Sequence, residues 1–475
     1  MMSRGLYLRA ELVPWLFACP STTCPSTMGL CMSDPTKTTE SVLKINYLTA
    51  GAGGMYCGSC LHDNTLARAL HRLGVDVQLI PTYTPIRTDE EDATIDRVFF
   101  GGLNVYLQQK LFLFRYLPGI LDRWLDRPGL IRWITSRAME TSPRQLGALA
   151  VSMLQGSQGR QRKEVHRLCR WMQGQQKPDL LNFSNILIAG CVPSLKQALN
   201  VPVVVTLQGD DIFLDNLVEP YRGRAQTLIR GLVEHIDGFL VHSDYYAGVM
   251  SEYLGIARER FHKIPLGVDT RDFQLAAETT VERPASAPPT VGYLARIAEE
   301  KGLHVLVDAF LELRQRPGME DARLRIAGWL GPGQRAYAET QFARLRAAGA
   351  GDVFEYVGEI DRREKIAFLQ SLDLLSVPTT YREPKGLFVL EALAAGVPVV
   401  VPDHGAFPEL LGQTGGGRPV APEQPGQLAD TLAELLGNRQ LCRELAEQGR
   451  RHVWTELNAD TMARKTLDVL QRFIP

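Results

Sequence analysis

Glu383 and Glu391 stand with seven residues between them in Tyr381-Arg-Glu-Pro-Lys-Gly-Leu-Phe-Val-Leu-Glu391, and Gly386-Leu387 lies inside that interval. The run Leu372 to Pro378 before them reads as a short buried strand, and Thr379 to Arg382 as the loop at its carboxyl end. Pro384 suits a first helical turn, while Gly396 and Pro398 suit a stop, so the pattern predicts a helix over Pro384 to Ala395. Backbone amides around Lys385, Gly386 and Leu387 then lack intrahelical partners and carry the positive end of the helix dipole, which favours phosphate or sugar oxygens. One carboxylate outside the helix and one two turns in can hold the two ends of a long polyhydroxylated ligand. The plainer alternative makes Glu383 a cap and Glu391 a solvated charge. Against it, Glu391 sits between Leu390 and Ala392 in a mostly apolar helix, where an unpartnered charge would cost on the order of several kcal/mol.

Arg296 and Lys301 follow the apolar run Val291 to Ala295, at the carboxyl end of a strand where ligands of parallel sheets collect. Cys57-Gly-Ser-Cys60 is a lone CxxC. A redox or metal role would ask for a second pair or a suitable fold context, and the favoured reading is small residues lining a loop. No HxH, DxD-type or paired-cysteine cluster falls at a strand end, so neither a metal nor a cofactor is expected.

Positioning these residues takes a large scaffold. The chain has 475 residues, 45% hydrophobic and 22% charged, with a net charge of −1. That length suits two domains, and the balanced charge gives no long-range attraction for nucleic acid. No apolar run approaches the ~20 residues that span a bilayer. Residues 1–40 read as a disordered tail or as a start assigned too early, with Met28 or Met32 as the true beginning; three of the eight cysteines fall there. The expected location is the cytoplasm, with a peripheral position at the inner membrane face left open.

Two halves share one rhythm. Lys44 to Ala50 reads as a strand, Gly51 to Gly54 as a loop, Asp63 to Leu73 as a helix and Val75 to Ile80 as a second strand. Leu180 to Ser184, Val201 to Thr206 and Gly238 to His242 continue as strands, with Ile186 to Leu199 and Arg224 to His235 as helices. The second half repeats this with strands Thr290 to Ala295, Leu324 to Ala327 and Val353 to Val357, and a helix over Leu303 to Arg314. Strands alternating with helices predict parallel sheets covered on both faces, hence an α/β protein of two doubly wound, Rossmann-like domains. The proline-rich stretch Glu282 to Thr290 reads as the linker. The domains are therefore placed at 41–282 and 283–458, with an insertion at about 95–175. That insertion is rich in leucine and aromatics; packing on the first domain is favoured over a membrane-interface helix, through about 103–135, or an acceptor groove.

The Glu-x7-Glu spacing, with Gly386-Leu387 inside and Glu-Ala-Leu-Ala-Ala-Gly-Val-Pro-Val-Val after it, resembles the retaining glycosyltransferases of family 4 (group 1). Ile264 to Asp269 and Leu240 to Ser243 are similar to that family's segments before the linker, and only about 95–175 stands apart. The resemblance implies the GT-B architecture, two such domains facing across a cleft, with a last helix, 459–475, crossing back to the first. It implies sugar transfer from a nucleotide diphosphate sugar, as co-substrate, to a hydroxyl of an unidentified glycan, lipid or small molecule. By the same resemblance Glu383 contacts the donor sugar, Glu391 the ribose, and Arg296 and Lys301 the diphosphate. Gly386, Leu387, Gly53 and Gly54 approach the donor through backbone, and Gly328 and Gly358 mark loops that hold the base. Two positions depart from the family. Lys385 replaces an aromatic residue and either adds to phosphate binding or is solvated. Gln208 replaces a histidine and cannot act as a base, a loss tolerable for front-face attack in which the departing phosphate takes the acceptor's proton. Asp210 or Asp211 would assist the acceptor or only cap a turn. A non-catalytic sugar-nucleotide sensor and an epimerase of the same fold are the alternatives.

Overall fold

The computed structural model describes residues 42–51, 57–95, 98–99, 143–279, 284 and 286–475. Strands β1 (Lys44–Thr49), β2 (Asp76–Pro81), β3 (Leu180–Phe183), β4 (Val203–Thr206), β5 (Gly238–Val241) and β6 (Phe261–Lys263) form one sheet in the order β2-β1-β3-β4-β5-β6. Strands β7 (Thr290–Leu294), β8 (Arg323–Ala327), β9 (Phe354–Gly358), β10 (Leu374–Ser376), β11 (Val399–Pro402) and β12 (Gly417–Val420) form the other in the order β12-β11-β10-β7-β8-β9. Every pairing is parallel. The fold is thus two doubly wound α/β domains.

Valine runs explain why the central strands are central. Val203, Val204 and Val205 of β4, and Val399, Val400 and Val401 of β11, are all inaccessible to solvent, as β-branched residues buried on both faces of a helix-covered sheet must be. Helix Leu303–Leu313 buries Leu303, Leu306, Val307, Phe310 and Leu313 against the second sheet. The described part of the insertion packs on the first domain. Helices Pro143–Leu154 and Arg162–Gln173 place Val151, Leu154, Val165, Leu168 and Met172 in that domain's core, whereas the segment about 103–135 lies outside the described residues.

The chain finally returns to the first domain. Helix Ala459–Leu470 sets Met462, Ala463, Val469 and Leu470 against Ile45, Leu66 and Leu70, each large side chain so buried contributing roughly 1.5–3 kcal/mol. Backbone bonds fix the crossing: Val268 N donates to Leu457 O at 3.1 Å and Ala459 N to Val268 O at 2.8 Å. Two elements that bear on the site differ from the expectations. The first helix is Gly58–Arg72, so Cys57 and Cys60 belong to a helix start and not to a loop. Asp63 lies inside that helix with its carboxylate accepting side-chain bonds. Ile186–Cys191 is a 3-10 turn ahead of helix Val192–Leu199. The expected boundary near 283 falls outside the described residues.

Candidate active site between the two domains

In the second sheet, β9-β8-β7-β10-β11-β12 is the doubly wound order, which reverses direction between β7 and β10. Loops after those two strands diverge and leave a crevice at their carboxyl ends. They carry Arg296 and Lys301 on one side and Thr379 to Gly386 on the other. Gly302 joins the loops: its φ is +73°, and a Cβ there would lie 1.8 Å from the carbonyl oxygen of Pro378. Thr380 N also donates to Glu300 O at 3.0 Å.

Glu383 is buried, and its Oε2 accepts from Lys301 Nζ at 2.9 Å and from the Tyr381 hydroxyl. Burial works to raise its pKa, but the Lys301 charge and the Tyr381 and Lys301 hydrogen bonds outweigh that and hold it below the usual glutamate value. The result is a fixed carboxylate, ionised at neutral pH. Arg296 stands further out, 40% exposed, and its guanidinium pairs with Glu300 at 2.7 Å.

The helix after Glu383 is shorter than its sequence suggests. It runs Leu387–Ala394, because Gly386 takes a left-handed φ of +79° as its N-cap and Pro384 to Gly386 form the turn before it. Glu391 consequently lies little more than one turn in. It is buried, and its Oε1 accepts from Lys365 Nζ at 2.5 Å. Lys365 also meets Asp89 Oδ2 of the first domain at 2.5 Å. Burial alone would lower the pKa of Lys365, but Glu391 and Asp89 raise it above its ordinary value, so the ammonium persists. Beside it Arg362 contacts Glu90 Oε1 at 3.6 Å and donates to Asp269 O at 2.6 Å.

The opposing face of the first domain is built from neutral groups around one carboxylate. Asp63 accepts from Tyr47 Oη at 2.6 Å, Thr49 Oγ1 at 2.7 Å, Gln208 Nε2 at 2.9 Å and, at 3.2 Å, His62 Nδ1. Gln208 donates as well to Ser184 O at 2.9 Å. His62 and His242 stack edge to face with centroids 4.5 Å apart. A carboxylate and the Ile264 carbonyl take their Nδ1 protons, which leaves lone pairs on both Nε2 atoms; burial, the largest cause, keeps both rings neutral.

Lys385 joins the two faces. It is buried rather than solvated, and its Nζ donates to Gln208 Oε1 at 2.9 Å and Ser59 Oγ at 3.1 Å. The structure thus brings Glu383, Lys301, Lys385, Gly386, Leu387 and Gln208 to one interdomain surface. Asp210 is buried, and its carboxylate accepts the amides of Ile186 at 2.8 Å and Gln208 at 2.9 Å. Burial pushes its pKa up to about 6. Asp211 accepts from Tyr246 Oη at 2.6 Å. Gly328 and Gly358 neighbour each other at the ends of β8 and β9, the amide of the first donating to the carbonyl of the second at 2.8 Å. Gly53 and Gly54 lie outside the described residues.

Sequence reasoning passed over Asp63, His62, His242, Lys365, Asp89 and Tyr381. The available signal was an acid, Asp63, at an expected helix start and a histidine, His242, at an expected strand end. Among the described residues no three His, Cys, Asp or Glu side chains are grouped to hold a metal ion, and no helix is long and apolar enough to cross a membrane.

Two doubly wound domains whose switch points face each other make up the GT-B architecture. The Glycosyltransferase Family 4 model matches residues 64–272, and the Glycosyl transferases group 1 model matches residues 278–452. The chain belongs to this family, group 1 or family 4 of the glycosyltransferases. It is 27% identical over 304 residues to a glycogen synthase of Mycobacterium tuberculosis, covering 62% of this chain and 68% of that protein. It is 30% identical over 257 residues to the GDP-mannose-dependent alpha-(1-6)-phosphatidylinositol monomannoside mannosyltransferase of the same species, covering 52% of this chain and 65% of that one. A sucrose-phosphate synthase from Thermosynechococcus elongatus shares the fold with a TM-score of 0.65 and 18% identity, covering 90% of this chain and 98% of that one. Anabaena Alr3699/HepE in complex with UDP does so with a TM-score of 0.61 and 16% identity, covering 90% of this chain and all of the other.

Proposed function

We propose that this glycosyltransferase moves a sugar from a nucleotide diphosphate donor to an acceptor hydroxyl with retention of anomeric configuration. The observation that carries the reading is the buried Glu383 carboxylate, held ionised by Lys301 at the sheet's switch point, two residues before the Lys385 that reaches the first domain. Fixed in that state it accepts hydrogen bonds from donor-sugar hydroxyls without reorganising during transfer. Lys301, with Lys385 and the first-turn amides of helix Leu387–Ala394, supplies positive charge for the departing diphosphate. Arg296 at the rim adds to it by turning from Glu300 to the phosphates, and Glu391 binds the ribose. These cations serve in place of a divalent metal.

The relatives support the donor class: one is named for GDP-mannose dependence, and a structural neighbour was captured with UDP. Gln208 cannot accept a proton as a base, which favours a front-face path in which the leaving phosphate takes the acceptor's proton. Asp210, tied to two amides, positions the Gln208 loop.

The test is incubation with UDP-, GDP-, ADP- and TDP-sugars, ligand binding read by thermal shift and products by anomeric NMR with and without chelator. Retained configuration and chelator-insensitive turnover are expected. An inverted product, donor binding without transfer or hydrolysis, or an epimerised donor would each refute the reading.

A further inference from the structure

We propose that Cys57 and Cys60 form a thiol–disulfide exchange site whose redox state sets how firmly the two domains close at Lys385. The spacing puts Cys57 at the N-cap of helix Gly58–Arg72 and Cys60 in its first turn, the positions whose side chains share one side of a helix start. Helix starts favour a thiolate, and a dithiol spaced this way is the arrangement in which one sulfur is activated and the other resolves. Among the described residues all five cysteines are free, and Cys57 is partly accessible whereas Cys60 is buried.

The sulfurs are chemically unequal. The neighbouring Cys60 thiol, first among the causes, lowers the Cys57 pKa to about 5 against the effect of burial, with the Lys385 charge assisting. The Cys57 sulfur beside it, together with burial, raises that of Cys60, while burial raises Cys169 and Cys191 and takes Cys442 up to about 11. Cys57 is therefore the attacking thiolate and Cys60 the resolving thiol.

Their position links chemistry to domain closure. Ser59, between the cysteines, accepts from Lys385 of the second domain at 3.1 Å. Burial depresses the Lys385 pKa, and the largest of the charges opposing that effect is Cys57. A low-molecular-weight disulfide, such as oxidised glutathione, is the co-reactant. The Cys57 thiolate attacks one of its sulfurs, forming a mixed disulfide and expelling one thiolate. Cys60, losing its proton to that thiolate, then attacks the Cys57 sulfur and expels the second. Two protein thiols become one disulfide, and the small disulfide is reduced to two thiols. The product lacks the negative charge beside Lys385. Cys57 is the extended N-cap, φ −133° and ψ 126°, so the disulfide ring it closes with Cys60 encloses Ser59 and also constrains the turn that presents it.

The proposal does not depend on the sugar-transfer reading, and its test reads no turnover. The full chain is treated with oxidised glutathione, then analysed by peptide mass and by hydrogen exchange. The peptide bearing both cysteines should lose two hydrogens and resist alkylation. Cys60→Ala should trap a glutathione adduct on Cys57, and Cys57→Ser, which keeps a good N-cap residue, should form neither. Exchange at 385–389 and 208–210 should quicken about tenfold in the oxidised wild type and stay unchanged in treated Cys57→Ser. No adduct or disulfide at Cys57, or a disulfide that leaves those amides unchanged, overturns the proposal.

Discussion

The two faces of the cleft solve the same burial problem by different physics. The second-domain face pairs full charges, Glu383 with Lys301 and Glu391 with Lys365. The first-domain face surrounds one carboxylate, Asp63, with four donors that include a phenol, an alcohol and an amide. A charged face answers strongly when one partner is removed, because the survivor is left uncompensated away from water. A carboxylate shared among several neutral donors loses less per group removed. Under the proposed transfer the difference would suit their roles: the charged face would meet a donor whose charge grows as the sugar leaves, and the other face the acceptor's uncharged hydroxyls.

The largest effect that sharpens this contrast is expected from Lys301→Met. Leaving Glu383 buried without its cation should cost about 3–5 kcal/mol, and adding Glu383→Gln should restore part of it. Urea unfolding of the two single variants and the double one measures the coupling; equal stabilities for Lys301→Met alone and combined would break the contrast. Gln208→Ala comes next, since it strips one partner each from Asp63 and Lys385. A loss of about 1–3 kcal/mol is expected in the same assay.

The third effect is in pH. Glu383 has a lowered folded pKa, so its stabilising contribution is present above the unfolded carboxylate value of about 4.3 and is lost as pH falls through the folded value. Acid titration of stability should be steeper below about pH 4 for the wild type than for Glu383→Gln; identical slopes would mean that the pair does not hold the charge. The smallest effect belongs to the rim. Glu409 accepts from Lys263 at 3.0 Å and from Asp244 N at 2.8 Å across the domains in a solvent-accessible setting. Glu409→Gln should cost about 0–1 kcal/mol and vanish in high salt, measured by thermal melts at two ionic strengths.

The two faces also differ in how far the sequence discloses them. Glu383, Gly386, Leu387 and Glu391 fall within nine consecutive residues, so local spacing reveals them together with their helix. Even there Gly386 misled the helix start: a proline suited to N1 stood before a glycine whose left-handed backbone ends the turn. Asp63, Gln208 and Ser184 come from three segments joined only by sheet order. No local pattern couples a helix acid to a strand-end amide more than a hundred residues away. Lys365 and Asp89 escaped for the same reason, each looking like a surface charge until the domains meet. The alternation of strands and helices, by contrast, is a repeated local signal, and both parallel sheets follow from it.

The most direct measurement compares wild type with Glu383→Gln for turnover and for nucleoside diphosphate affinity, using the sugar nucleotide that the panel selects. A carboxylate that acts on the sugar at the transition state should, when neutralised, cost about 100-fold or more in turnover while nucleoside diphosphate affinity stays within a few-fold. Undiminished turnover in Glu383→Gln, or a wild-type protein that binds none of the sugar nucleotides, would contradict the account.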